Sequence, residues 1–212
     1  MREGGRFFGG ICFITDSLLS QVSVEDQVKM VLDAGITAVQ YREKELSRRL
    51  IHREAERLRR ITDRYEALLI VNDHADIALA VDANGVHLGQ EDLPLAEARR
   101  IMGRKIVGIS THDEGQAIGA EKGGADYIGF GPVYRTHTKD AGDPRGVRML
   151  GEIRSRVSIP IVAIGGISVG DVDQVLSSGA DAVAVASAIL RSGDIYAAAR
   201  RFVERIGDIP KR

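Results

Sequence analysis

The sequence has one cysteine, no long apolar run and no excess of charge of either sign, and each absence excludes a class of protein. Cys12 alone forms neither an intrachain disulfide nor a multi-cysteine metal cluster, so we expect it to pack in a core within a reducing compartment. No apolar run approaches the ~18 residues that span a bilayer, and residues 1–10 lack the apolar core of a signal peptide. We therefore expect a cytoplasmic protein with no membrane partner.

The charge balance gives no reason to expect a nucleic-acid partner. The chain has 29 Lys and Arg against 30 Asp and Glu, a formal net charge of -1. Any anion site must therefore be a local one. The chain has 212 residues, of which 44% are hydrophobic, and this suits a single globular domain.

Short β-branched runs alternate along the chain with longer segments in which apolar residues have helical spacing. The runs lack strict alternation of apolar and polar residues, which is typical of strands buried on both faces. The predicted strands are Ile11–Thr15, Ala38–Tyr41, Leu68–Val71, Gly85–Leu88, Ile106–Ile109, Tyr127–Phe130, Ile161–Ile164 and Ala182–Val185. The predicted helices are Val24–Ala34, Ser47–Arg64, Ala75–Val81, Leu95–Met102, Glu114–Lys122, Val147–Arg156, Ser168–Ser178 and Asp194–Ile206, with Ser23, Ser47 and Ser168 as candidate caps.

Eight strand–helix units predict an α/β protein, a single-domain (β/α)8 TIM barrel. The barrel covers residues 11–207, with an N-terminal tail at 1–10 and a C-terminal tail at 208–212. Gly or Asn recurs where a predicted helix ends and the next strand begins, as in Asp82-Ala-Asn84, Gly124-Ala-Asp126 and Gly179-Ala-Asp181. The alternative is an open doubly wound sheet, but the Gly-x-Gly-x-x-Gly turn of a dinucleotide site is missing after the first strand.

Polar side chains follow the predicted strands, where the loops of a barrel build its active-site face. Arg42 and Lys44 follow the second strand and Lys139 follows the sixth, so we predict an anion site among them. Asp73 and Asp92 follow neighbouring strands, where two carboxylates can share one magnesium ion. The alternative is that Asp73 caps a helix and Asp92 opens a turn.

A second anion site is predicted beside the last two strands. Gly165-Gly166 opens a helix and Ala186-Ser187 follows the eighth strand, at the place where barrels frequently bind a phosphate. The alternative for the glycine pair is a plain tight turn. The histidines show no ligand spacing, so we do not expect zinc, and we interpret His87 as a packed or hydrogen-bonded barrel residue. No Ser-His-Asp or Cys-His arrangement stands out, which favours chemistry driven by stabilisation of a leaving group.

Several motifs together resemble the thiamine phosphate synthase family, from Ile14 to Ala188. The motifs are Gln40-Tyr-Arg-Glu-Lys44, Val71-Asn-Asp73, Gly85-Val-His-Leu-Gly-Gln-Glu-Asp92, Gly108-Ile-Ser110, Asp126-Tyr-Ile-Gly-Phe-Gly-Pro-Val133, Thr136-His-Thr-Lys139 and Ala163-Ile-Gly-Gly-Ile167. The resemblance implies coupling of 4-amino-2-methyl-5-hydroxymethylpyrimidine diphosphate with 4-methyl-5-(2-phosphoethyl)thiazole, which yields thiamine phosphate and pyrophosphate. Arg135 departs from the family, which often has a small residue or proline at this position.

The resemblance also implies roles for the matching residues. Gln40 would hold the aminopyrimidine, and Asp73 and Asp92 would bind Mg²⁺. The residues that would bind the diphosphate, and so stabilise the leaving group, are Arg42, Lys44, Asn72, Ser110 and Lys139. The residues that would bind the thiazole phosphate are Thr136, Thr138, Gly166, Ala186 and Ser187.

Three other functions stay open at this point. A thiazole tautomerase would share the fold and the thiazole phosphate site, but it would not need Asn72, Asp73, Asp92 or Lys139. An isomerase or aldolase of a phosphorylated metabolite would need an acid–base pair or a Schiff-base lysine inside the barrel, and no strand interior offers a lysine. A non-catalytic sensor of thiamine intermediates would not need the full set of site residues. We also expect a homodimer, since barrels of this kind often self-associate.

Overall fold

A computed structural model describes residues 7–136 and 143–209 of the chain, and its strands form one closed parallel barrel. The strands pair in chain order, and the eighth returns to the first. They are β1 (Ile11–Ile14), β2 (Ala38–Tyr41), β3 (Leu68–Asn72), β4 (Gly85–Leu88), β5 (Ile106–Thr111), β6 (Tyr127–Phe130), β7 (Ile161–Ile164) and β8 (Ala182–Val185). The predicted α/β class and the single-domain (β/α)8 barrel are confirmed.

Helices connect the strands and pack around the outside of the barrel. They are α1 (Val24–Asp33), α2 (Arg48–Arg64), α3 (Ala75–Ala80), α4 (Leu95–Met102), α5 (Glu114–Lys122), α6 (Gly146–Arg154), α7 (Val172–Ser177), α8 (Ser187–Leu190) and α9 (Ile195–Gly207). Ser23 caps α1 by accepting a hydrogen bond from the Asp26 N–H. Ser168 begins a 3-10 turn ahead of α7, and its own N–H donates to the Asp171 carboxylate. Ser47 takes the N-cap position of α2, but its side chain makes no capping hydrogen bond.

Both faces of the strands are buried, as the continuous apolar runs predict. Phe13, Val39 and Leu69 belong to the layer between strands and helices. Cys12 and Tyr127 belong to a smaller cluster inside the barrel. Burial raises the pKa of the Cys12 thiol to about 12, so this cysteine packs in the core as an uncharged group.

The end of the barrel at which the strands begin is closed by aromatic rings. Residues 7–10, which the sequence analysis places in the N-terminal tail, form a 3-10 turn against β1 and β8. The rings of Phe7 and Phe8 lie 5.4 and 5.2 Å from the Tyr127 ring, between centroids. Ile209, from the predicted C-terminal tail, packs against the core. Residues 1–6 and 210–212 of these tails lie outside the described part of the chain.

A helix that crosses a membrane must be long and apolar. Within residues 7–136 and 143–209, no helix is both long enough and apolar enough to cross a bilayer.

Candidate active site

Polar residues that follow the strands gather at the carboxyl end of the barrel, around two depressions. The first, here called the inner cavity, has a volume of about 240 Å³ and lies over β5 to β8 and β1. The second, here called the carboxylate groove, lies outside β2 to β4. Lining residues of the inner cavity include Asp16, Arg42, Ser110, His112, Thr136, Arg145, Gly166, Ala186 and Ser187. Lining residues of the carboxylate groove include Lys44, Asp73 and Asp92.

The glycine pair after β7 forms one wall of the inner cavity. Gly165 and Gly166 have φ values of 99° and 68°, in the region that favours glycine. A Cβ atom on Gly166 would lie 2.5 Å from the carbonyl oxygen of Arg135, so this loop and the loop after β6 pack too closely for a side chain. The Tyr134 N–H donates to the Gly165 carbonyl at 2.9 Å and holds the two loops together. The pair therefore serves as a tight turn and as a cavity wall.

Arg42 is held at the edge of the inner cavity by a buried carboxylate. Its Nη1 donates to Oδ2 of Asp16 at 3.1 Å, and only 9% of the Asp16 side chain is exposed. The hydroxyl of Thr15 accepts the Arg42 N–H at 2.9 Å. Sequence reasoning assigned no role to Asp16, although its position directly after β1 and beside β2 is a signal that points to this contact.

Sequence reasoning assigned no individual role to two further side chains of the inner cavity. His112 follows β5, and its Nδ1 lies 2.7 Å from the carbonyl oxygen of Gly131. Arg145 stands just before α6, and its N–H donates to the Pro132 carbonyl at 2.7 Å. Helix α8, whose first residue is Ser187, was also missed, because four residues are too few to display a helical period.

The carboxylate groove brings two acidic side chains into contact. Asp73 and Asp92 share a hydrogen bond, and Lys44 forms an ion pair with Asp73. Burial alone would raise the pKa of Asp73, but the hydrogen bonds from Lys44 and Asp92 and the charge of Lys44 lower it overall. Burial raises the pKa of Asp92, and so does the Asp73 charge, while the Gly89 N–H opposes them in part. Two carboxylates held together in this way favour a cation between them.

The sequence left open whether Asp73 caps a helix and whether Asp92 opens a turn, and the structure answers both questions. The residue at the N-cap of α3 is His74, so Asp73 does not cap that helix. Asp73 instead has a φ of 64°, a conformation that Asp and Asn adopt more readily than other residues with side chains. Asp92 closes a turn that begins at Gly89, rather than opening one before Pro94, because its Oδ2 accepts the Gly89 N–H at 2.6 Å. This turn leaves the carboxylate beside Asp73.

The donor set of the groove fits magnesium. Within residues 7–136 and 143–209, no three His, Cys, Asp or Glu side chains are grouped in a way that could hold a metal. A pair of carboxylates remains, and Mg²⁺ typically binds one or two carboxylates while water and substrate phosphates complete its coordination. Asp73 and Asp92 are therefore the residues that could hold such an ion.

A hydrogen-bonded group fills the barrel beneath the inner cavity. The Nδ1 of His87 lies 2.9 Å from the Tyr127 hydroxyl, and its Nε2 lies 2.9 Å from the Ser110 hydroxyl. The side chain of Gln40 also hydrogen-bonds to the Tyr127 hydroxyl. Asn72 ends β3 in register with His87. His87 is thus the hydrogen-bonded barrel residue that the sequence predicts.

The predicted residues fall into three groups by location. Gln40 is the next-to-last residue of β2 and Asn72 is the last residue of β3, whereas Lys44, Asp73 and Asp92 lie at the groove. The residues that line the inner cavity are Arg42, Ser110, Thr136, Gly166, Ala186 and Ser187. Thr138 and Lys139 lie outside the described residues, so their roles stay predictions.

The chain is similar to proteins with one recurrent name. A thiamine-phosphate synthase from Chloroflexus aurantiacus is 48% identical over 190 residues, which cover 89% of this chain and 88% of that protein. One from Methanospirillum hungatei is 46% identical over 198 residues, with coverage of 92% and 96%. The solved structure of a thiamine phosphate pyrophosphorylase from Pyrococcus furiosus has a TM-score of 0.88 at 38% identity, covering 93% of this chain and 95% of that one.

More distant structures share the barrel alone. A 3-hexulose-6-phosphate synthase has a TM-score of 0.71 at 18% identity and covers 92% of this chain and 99% of that chain. In contrast, the family profile described as "Thiamine monophosphate synthase" matches residues 11–189, most of the chain and every described site residue. The chain belongs to the thiamine monophosphate synthase family.

Proposed function

We propose that the chain is a transferase that couples 4-amino-2-methyl-5-hydroxymethylpyrimidine diphosphate with 4-methyl-5-(2-phosphoethyl)thiazole, giving thiamine phosphate and pyrophosphate. The observation that carries the proposal is the contact between Asp73 and Asp92, with Lys44 beside them, at the same mouth as the glycine-walled inner cavity. The same end of the barrel would thereby bind a metal-bound diphosphate at one site and a monophosphate at a second site. Family membership supports the same substrates.

The diphosphate side of the reaction would use the groove and the adjoining strand ends. Asp73 and Asp92 would hold Mg²⁺. Gln40 would bind the aminopyrimidine. The groups that would bind the diphosphate oxygens are Arg42, Lys44, Asn72, Ser110 and the predicted Lys139. Asp16 would keep the Arg42 guanidinium in place through the 3.1 Å ion pair.

The thiazole phosphate would bind in the inner cavity. Gly166, Ala186 and Ser187 line it from the loops after β7 and β8, where barrels frequently bind phosphate. Thr136 lines it from the loop after β6, and Thr138 is predicted to join it. Anchoring the phosphate would position the thiazole nitrogen for attack on the pyrimidine, which replaces a bimolecular encounter with a fixed geometry.

The chemistry we propose is a dissociative displacement. The pyrimidine amino group stabilises the cation that forms when the C–O bond to the diphosphate breaks, and the thiazole nitrogen then forms the new C–N bond. Bound magnesium would supply positive charge to the departing pyrophosphate. Arg42, Lys44 and Lys139 would hold the same oxygens through charge-assisted hydrogen bonds, which are strongest in a sheltered site.

The test is an assay with purified protein, both substrates and magnesium that follows thiamine phosphate and pyrophosphate. We expect both products in equal amounts, and we expect a chelator to stop their formation until magnesium is added in excess. A lack of product despite measurable binding of the thiazole phosphate would contradict the synthase and favour the tautomerase or the sensor. Product formation that resists chelation would remove magnesium from the proposal.

Two further expectations belong to this proposal. The homodimer stays a prediction, which analytical ultracentrifugation tests by the sedimentation coefficient at micromolar concentration. The cytoplasmic location also stays a prediction, which cell fractionation tests.

A further inference from the structure

The interior of the barrel holds a polar chain that connects two proposed substrate-binding residues. Tyr127 stands in its middle and is 1% exposed, and His87 is 8% exposed. The His87 ring bridges the Tyr127 hydroxyl and the Ser110 hydroxyl, at 2.9 Å from each. The Tyr127 hydroxyl also contacts the Gln40 side chain. Gln40 and Ser110 are therefore linked through two residues for which the family resemblance implies no role.

The neighbouring strands leave space for the two rings. A Cβ atom on Gly108 would lie 2.1 Å from Cζ of Tyr127, and one on Gly129 would lie 2.9 Å from Cε1 of His87. Neither glycine has a positive φ, so the backbone conformation does not require glycine at these positions. Space for the rings does require it. The interior is thus built around Tyr127 and His87.

While the imidazole of His87 is neutral, the hydrogen atoms along this chain run in one of two directions, because the tyrosine has one proton and the imidazole has one. In the first, Gln40 donates to Tyr127, Tyr127 donates to His87 Nδ1, and His87 Nε2 donates to Ser110. The Ser110 proton is then available to the inner cavity, which Ser110 lines, and the Gln40 carbonyl oxygen is not used by Tyr127. In the second, every donor is reversed, and the mouth receives the Gln40 amide protons and a serine lone pair.

The proposed substrates favour the first direction of hydrogen bonding, both at Ser110 and at Gln40. A diphosphate oxygen needs a donor, which Ser110 supplies only in the first direction. An amino group on the pyrimidine needs an acceptor, which the Gln40 carbonyl supplies only in that direction. Burial raises the pKa of Tyr127 well above its usual value, so the phenol stays protonated and has its one proton to donate.

We propose that Tyr127 and His87 are positioning residues, which fix the Ser110 hydroxyl as a donor and the Gln40 amide oxygen as an acceptor for the pyrimidine diphosphate. The inference rests on the proposed function for the identity of that substrate. Neither residue lines the inner cavity, so both act from beneath it. Fixing the direction of these hydrogen bonds excludes the reversed arrangement, in which a lone pair of Ser110 would face an anionic oxygen.

The substitution Tyr127→Phe removes only the phenol oxygen and frees His87 to adopt the other tautomer. We expect the KM for the pyrimidine diphosphate to rise about tenfold, the factor that one hydrogen bond to a charged group accounts for. The KM for the thiazole phosphate should stay within about twofold. The matched control is Tyr41→Phe, because Tyr41 is an equally buried strand tyrosine whose hydroxyl donates to Glu54 at 2.7 Å, outside the barrel. This control should lose a similar amount of thermal stability and keep both KM values.

Binding of pyrophosphate with magnesium, measured by calorimetry, isolates the Ser110 end. Tyr127→Phe should weaken it about tenfold in the parent chain and by less than about twofold in a Ser110→Ala background. His87→Gln, whose amide N–H can replace the Nε2 donor, should bind within about threefold of the parent, and His87→Leu should bind about tenfold more weakly. Equal losses from Tyr127→Phe in both backgrounds, or an unchanged affinity, would overturn the inference.

This binding measurement also separates the inference from the proposed function. If the parent chain forms no thiamine phosphate but pyrophosphate binding still depends on Tyr127 through Ser110, the proposed function fails and the positioning role stands. If the parent chain is active and the Tyr127→Phe and Tyr41→Phe variants have the same KM for the pyrimidine diphosphate, the positioning role fails and the proposed function stands.

Discussion

The two ends of the barrel use charged residues in opposite ways. At the closed end, where strands begin, individual carboxylates form hydrogen bonds and ion pairs with a strand N–H group and a cationic side chain. At the open end, where strands finish, Asp73 lies against Asp92 and the cations face depressions. The difference separates residues that hold the barrel together from residues held ready for a ligand, as is typical of this fold.

The closed end repeats one contact three times, here called the strand clamp. An acidic or amide side chain just before an even-numbered strand accepts the N–H at the start of the preceding strand and an Arg side chain as well. Asn84 accepts from Leu69 and Arg59, Asp126 accepts from Val107 and Arg99, and Asp181 accepts from Ile161 and Arg154. These are the Asp82-Ala-Asn84, Gly124-Ala-Asp126 and Gly179-Ala-Asp181 turns of the sequence.

The open end also has ion pairs, Arg42 with Asp16 and Lys44 with Asp73, but it holds charged groups beyond these pairs as well. Burial and the Asp73 charge raise the pKa of Asp92, which means that ionisation of Asp92 beside Asp73 is less favourable than in water. Arg145 lines the inner cavity and forms no ion pair with any described carboxylate. Such groups gain most when a charged ligand arrives.

The largest expected effect is on kcat, when one aspartate at each end of the barrel is replaced by asparagine. Asp73 and Asp82 both have positive φ, at 64° and 54°, and both pair with a lysine. Asp73→Asn should lower kcat by about a hundredfold or more, because one carboxylate of the proposed magnesium pair is lost. Asp82→Asn should keep the parent kcat, since Asp82 is 90% exposed at the closed end. Steady-state kinetics of the two variants at saturating magnesium tests this difference.

Folding must be measured alongside, because Asn suits the left-handed conformation at both positions. Both variants should retain the parent circular dichroism spectrum and unfold within a few degrees of it. Full activity of Asp73→Asn, or equal activity losses in the two variants, would show that the open end is not set apart by its carboxylate pair.

The next largest effect is one of stability and belongs to the strand clamp. Asp181→Ala removes the acceptor for the Ile161 N–H and for Arg154, at 2.8 and 2.9 Å. We expect a loss of about 1–3 kcal/mol in the free energy of unfolding, the usual result of leaving such donors without a partner. Urea denaturation measures it. Turnover at a temperature well below unfolding should match the parent, and a large loss of kcat in the folded variant would contradict the separation of the two ends.

A smaller effect is expected at Arg145. Arg145→Ala should raise the KM for the thiazole phosphate about tenfold, because a phosphate in the inner cavity would lose one charge-assisted partner. The matched control is Arg148→Ala, since the Arg148 side chain is 92% exposed and pairs with Glu152 on α6. Tested with the unphosphorylated thiazole, both variants should resemble the parent. The same loss with and without the phosphate would assign Arg145 another role.

The sequence predicts the strands well because their burial on both faces makes them apolar throughout. All predicted strand starts agree with the structure, and three strand ends differ: polar residues continue β3 to Asn72 and β5 to Thr111, and β1 ends before Thr15. The polar residues Asn72, Ser110 and Thr111 lie at the carboxyl ends of their strands, so the apolar runs end before the strands do. The helix after β8 and the packing of Phe7 and Phe8 on Tyr127 were not predictable, since one is a single turn and the other joins residues far apart in the chain.

Site residues follow the same rule. Asp73 and Asp92 could be placed together because parallel strands end at one edge, and the structure puts them in contact. The link from Gln40 through Tyr127 and His87 to Ser110 could not be found, because it depends on which side chains fit inside a closed barrel with Gly108 and Gly129. Sequence periodicity shows that a strand is buried but not what its inner face touches.

The smallest expected effect tests whether the three strand clamps are equivalent. Asn84 uses a single atom, Oδ1, to accept from the Leu69 N–H at 2.8 Å and from Arg59 Nη1 at 2.5 Å. Asn84→Asp would keep that oxygen and add the charge that Asp126 and Asp181 already carry. Arg59 also pairs with Asp63, so the added attraction is shared and partly exposed. We expect a gain below about 1 kcal/mol in urea denaturation, with unchanged kcat. A loss larger than that would mean that the Asn84 amide N–H is needed and that this clamp differs from the other two.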